Sequence, residues 1–70
     1  MKQVIAVKGE ILTRLSYSLL FDKEGLDMPV WVDMHKIVTI DADSLKGPAT
    51  IHIYKDTAIE KGLYDPKEHY

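Results

Sequence analysis

Residues Glu10–Asp22, E-I-L-T-R-L-S-Y-S-L-L-F-D, decide how this chain folds. Ile11, Thr13, Leu15, Tyr17, Leu19 and Phe21 fall on one side at a period of two. Leu12, Arg14, Ser16, Ser18 and Leu20 fall on the other. A strand sorts side chains this way, whereas a helix would scatter the apolar set around its circumference. The first face is apolar or β-favouring, and the second carries Arg14 and two serines. The stretch therefore reads as one strand. At about 3.3 Å per residue it would span roughly 40 Å, beyond the usual strand length, so it is expected to bend or to serve two sheet edges.

Upstream, Gln3–Lys8 is a short β-branched run, and Gly9 interrupts it. A glycine inside a strand pattern marks a bulge or a sharp bend. Residues 3–21 then form either one bent ribbon or two strands turning at Gly9-Glu10. The absence of a good turn dipeptide favours the ribbon.

Downstream, Asp22–Pro29 clusters Asp, Gly and Pro and reads as a loop closing a hairpin. Leu26 and Met28 in it are expected to cover one end of the core. Val30–Asp33 is the next strand, with Val30 and Val32 on one face and Trp31 and Asp33 on the other. Met34–Lys36 is a junction and Lys36–Ile40 another strand. Asp41–Pro48 is a second loop, in which Asp43 and Ser44 suit the start of one helical turn. Ala49–Tyr54 alternates again. From Asp56 the period changes. Asp56 as N-cap and Gly62 as C′ residue bracket a helix of about two turns, with Ala58, Ile59 and Leu63 as its apolar stripe. A helix that short must pack on the sheet to persist. Asp65-Pro66 breaks it, and Lys67–Tyr70 reads as a frayed tail.

The fold class that follows is mainly β: one domain over residues 1–70, a small SH3-like or OB-like curled sheet or barrel of four to five strands with a short C-terminal helix. With 70 residues the core is modest, and without cysteine there is no disulfide to staple it. Such a domain relies on its core, on oligomerisation or on a partner.

Three stretches together resemble a group of small phage- and prophage-encoded β-barrel proteins. They are T-R-L-S-Y-S-L-L-F-D at 13–22, V-W-V-D-M-H-K-I at 30–37 and A-I-E-K-G-L at 58–63. Trp31, Ile37 and Glu60-Lys61-Gly62-Leu63 are the matching positions. Asp33-Met34-His35 stands where that group tends to have Pro-Lys-Ser. The resemblance implies an accessory phage protein acting in the host cytoplasm, and it carries over no catalytic residue.

The residues themselves narrow the function. No signal-peptide core or membrane-length apolar run is present, so no membrane role is expected and the chain reads as cytoplasmic. Net charge is −2, and residues 21–43 hold six acids, Asp22, Glu24, Asp27, Asp33, Asp41 and Asp43, against two lysines. No basic run exists, which disfavours nucleic acid as a partner. Asp33, His35 and His52 are the only residues whose spacing invites a metal or an acid–base pair, and nothing in that spacing forces them together. Ser16 and Ser18 lie inside a strand pattern rather than at a strained elbow, and the four glycines are isolated. The chain is expected to be no enzyme and to use no cofactor or metal.

What remains is binding. The acidic residues Asp22, Glu24, Asp27, Asp33, Asp41 and Asp43 are candidates for contact with a basic host protein, whose inhibition they would achieve by standing where phosphates would lie. Free strand edges also offer pairing with a second copy. Trp31, His52 and Tyr54, if gathered on an outer face, would instead stack single-stranded nucleic acid. Against that stands the reading of Trp31 as core.

Overall fold

A computed structural model describes residues 3–64. The chain forms β1 (Val4–Arg14), β2 (Ser18–Asp22), β3 (Val30–Asp33), a 3-10 turn (Met34–Lys36), β4 (Ile37–Ala42), β5 (Gly47–Tyr54) and one helix, α1 (Lys55–Glu60). All five strands join one antiparallel sheet in the order β3-β2-β1-β5-β4. The fold is thus mainly β with a short C-terminal helix.

The connection between β3 and β4 dictates the sheet's shape. These are its two edge strands, four spacings apart, which in a flat sheet is about 19 Å. Only Met34–Lys36 join them. Four Cα steps reach at most about 14 Å even when fully extended, and a 3-10 turn reaches less. The sheet must therefore roll until its edges approach. It stops short of closure: among the described residues β3 and β4 form no ladder. The molecule is a curled, open sheet.

Strand β1 is the central strand, paired to β2 on one side and to β5 on the other. It runs unbroken through Gly9, so the residue marks neither a turn nor a bulge. Its reason is packing. A Cβ there would sit 2.7 Å from Cζ of Phe21 and closer still to the Asp22 carbonyl oxygen. The missing side chain lets the Phe21 ring lie against β1.

Glu10–Asp22 is not one strand. It is a hairpin: Arg14 pairs with Leu19, the Leu15 N–H donates to the Ser18 carbonyl at 2.8 Å, and Ser16-Tyr17 make the corner. Among the described residues none other than glycine adopts positive φ, so this corner lacks the conformation that Asn-Gly or Gly would have advertised. The period-two pattern survives for a specific reason. A two-residue turn inverts which parity faces inward, and a register shift between Ile11 and Thr13, a bulge at Leu12, inverts it back. Ile11 again lies opposite Phe21, and both are buried with Leu19. Leu15 and Tyr17, at the corner, are exposed.

The concave face holds Val7, Ile11, Leu19, Phe21, Val32, Ala49, Ile51 and Ile53, closed by Ala58 and Leu63 from the helical segment. Helix α1 begins two residues earlier than expected. Tyr54 is its N-cap, and the Asp56 carboxylate accepts the Thr57 N–H at 2.8 Å from within the first turn. The C-terminal end is as expected. Gly62 at φ 75° lets the Leu63 N–H reach the Ala58 carbonyl at 2.8 Å and the Gly62 N–H reach Ile59 at 3.2 Å. This is a Schellman cap, and it turns Leu63 into the core. The inward stripe is Thr57, Ala58 and Leu63, while Ile59 faces out. The Lys55 ammonium lies 5.4 Å from the Tyr64 ring centroid, within cation–π range.

Two further expectations fail. Residues 43–46 bend between β4 and β5 without a helical turn, and the Ser44 hydroxyl is spent on the Lys46 carbonyl. Leu26 packs on the core but Met28 is exposed. The tail at 65–70 lies outside the described residues.

Candidate binding face

The convex face is set by strand register. Its rungs run Val4–Tyr54, then Ala6–His52–Thr39, then Lys8–Thr50–Asp41 across β1, β5 and β4. The next rung is Asp22–Glu10–Pro48 across β2, β1 and β5. The last two rungs are adjacent, and the loops that leave them bring in Glu24 and Asp43.

Two open clefts lie over this region and share Lys8, Gly9 and Pro48. One, of about 300 Å³, is lined by Asp41, Asp43 and Thr50 as well. The other, of about 400 Å³, is lined by Glu10, Asp22 and Glu24. Five carboxylates thus line the two clefts against one lysine, Lys8, while Lys23 shares a neighbouring cleft with it. Glu10 and Asp22 stand directly opposite each other, an arrangement of like charges that weakens a sheet.

Of the acids singled out in the sequence, Asp22, Glu24, Asp41 and Asp43 come together here. Asp27 is exposed in the β2–β3 loop and lines neither cleft. Asp33 does local work: its Oδ1 accepts the His35 N–H at 3.0 Å and caps the 3-10 turn. Glu10 and Lys8 belong to the face but carry no signal in sequence. They precede the acidic stretch by a dozen residues, and only the β1 register brings them in.

Trp31 is 47% exposed on β3, so it is not core. Its rung runs through Leu20 and meets β1 at Thr13, whereas Tyr54 meets β1 at Val4, at the other end of the strand. His52 lies one rung from Tyr54, in the middle of the sheet. The three do not form one stacking platform. Asp33, His35 and His52 likewise assemble no ligand set: among the described residues no three His, Asp or Glu side chains are grouped to hold a metal ion. No helix among them is long and apolar enough to cross a membrane.

The chain matches no family model, no curated protein and no solved structure.

Proposed function

We propose that this chain is a non-enzymatic binding protein whose convex acidic face docks on a basic surface of a partner protein. The observation that carries the reading is the convergence of Glu10, Asp22, Glu24, Asp41 and Asp43, from three strands and two loops, on two adjoining clefts whose linings hold one basic residue, Lys8. A solvated sheet face normally intersperses charges of both signs, because like charges opposite one another cost stability. Here the cost is accepted at Glu10–Asp22. A face of this kind steers a basic partner and repels nucleic acid. The partner class that fits is a host enzyme that handles nucleic acid, whose phosphate-binding groove the carboxylates would occupy. That accords with the cytoplasmic phage accessory role implied by the 13–22, 30–37 and 58–63 segments.

The test is charge reversal. A tagged chain is passed through bacterial host extract, the retained protein is identified and purified, and its affinity is measured for the wild type and for Asp41→Lys with Asp43→Lys. The variant is expected to bind at least tenfold more weakly while its circular dichroism is unchanged. Equal affinity in a folded variant contradicts the reading.

A further inference from the structure

The acidic face ends at a strand that lacks a neighbour. β4 is bonded to β5 on one side, and among the described residues it has no strand on the other. In an antiparallel strand the N–H and C=O groups of alternate residues point to that second side. From Thr39 to Ala42 the pairing with β5 is regular, the irregularity being confined to Ile37–Thr39. This segment contains neither lysine nor proline, the residues that commonly guard an edge.

Its side chains alternate in a way that specifies a neighbour. Ile40 and Ala42 pack against the core yet remain partly exposed, so apolar area is left to cover. Thr39 and Asp41 point to the convex side, where Asp41 joins Asp43 and Thr50 in the acidic cleft. The other edge offers less. β3 has four residues, and its inward Val32 is already fully buried.

We infer that β4 is the docking edge for an extended segment of the partner, alternating apolar and basic residues, which adds a sixth strand to the sheet. Its apolar residues cover Ile40 and Ala42, and its Lys or Arg side chains stand beside Asp41 and Asp43. Charge decides against a second copy of this chain as the occupant, since it would extend the same face with a second set of carboxylates. The inference rests on the acidic-face reading and adds the mode of binding, main-chain pairing, which is testable separately.

The experiment uses the full chain and a fluorescein-labelled Lys-Val-Lys-Val-Lys-Val-Lys peptide, with amide hydrogen exchange followed by NMR. Binding is expected to slow exchange at alternate amides of Thr39–Ala42 at least tenfold and to leave β3 amides unchanged. A Glu-Val-Glu-Val-Glu-Val-Glu peptide is expected to give neither binding nor protection. Binding that is lost in Asp41→Lys with Asp43→Lys, but that protects no β4 amide, overturns the strand addition and leaves the acidic face standing. Equal binding of both peptides, or protection on β3 instead, overturns the inference. Failure of the lysine peptide to bind overturns it as well. A shift of the free chain to dimer mass, with β4 protected in the absence of peptide, overturns the choice of occupant.

Discussion

Glu10 and Asp22 are cross-strand partners, set directly opposite each other on β1 and β2. Neither is needed for the core, since both flank the inward Ile11–Phe21 pair on the convex side. Like charges in this position lower sheet stability by roughly 0.2–1 kcal/mol. Glu10→Lys is therefore expected to raise the thermal midpoint by about 1–8 °C, given that 1 kcal/mol moves a domain of this size by about 4–8 °C. Calorimetry at low and at high salt checks this. The gain should shrink as salt screens the pair, and a loss of stability at low salt would contradict the placement.

Gly9 and Phe21 make the opposite kind of contact, one the fold cannot spare. A Cβ at residue 9 would meet two Phe21 ring carbons at 2.7 and 2.8 Å and the Asp22 carbonyl oxygen. The ring belongs to a fully buried side chain and the oxygen to the β2 backbone, so neither can yield cheaply. Gly9→Ala is expected to cost about 2–3 kcal/mol by urea denaturation, at the upper end of overpacking effects. A cost below about 0.5 kcal/mol would mean that β1 and β2 do not approach as described.

The helix is closed at its C-terminal end by a Schellman cap. Gly62 at φ 75° permits the cap, and a side chain there costs roughly 1–2 kcal/mol. Leu63, 2% exposed, is the residue the cap delivers to the core, and Leu63→Ala should cost about 2–5 kcal/mol. Because one change works through the other's position, the double variant should lose less than the sum of the two. Urea denaturation of the three variants reads this, and strict additivity would separate the cap from the packing.

Trp31 reports on the alternative of base stacking. It is half-exposed on an edge strand, on a rung far from that of Tyr54, so the two rings do not form one stacking platform. Its fluorescence should be quenched readily by acrylamide and left unchanged by a single-stranded oligonucleotide at low salt. Saturable quenching by the oligonucleotide would restore the nucleic-acid reading.

Much of this fold was legible in the sequence. Alternation in Val30–Asp33 and Ala49–Tyr54, turn residues in Asp22–Pro29 and the Gly62 stop signal each translate directly into backbone geometry. The apparent continuity of Glu10–Asp22 has a physical origin. Its corner, Ser16-Tyr17, uses negative φ and so carries no glycine or asparagine, and the Leu12 bulge repairs the parity that the corner breaks. Two departures from regularity cancel, and the pattern looks continuous. The acidic face was legible only in part. Asp22, Glu24, Asp41 and Asp43 stood out by composition, but Glu10 and Lys8 enter through a register that periodicity does not fix. Asp33 looked like a member and is consumed as a cap.

We propose that the convex carboxylates are kept for a partner at the expense of stability. One variant reads both sides of it. Glu10→Lys, titrated calorimetrically against the purified basic protein retained from host extract, should bind at least tenfold more weakly than the wild type while melting higher. If it melts higher and binds within twofold of the wild type, the acidic face is not the binding surface and the account fails.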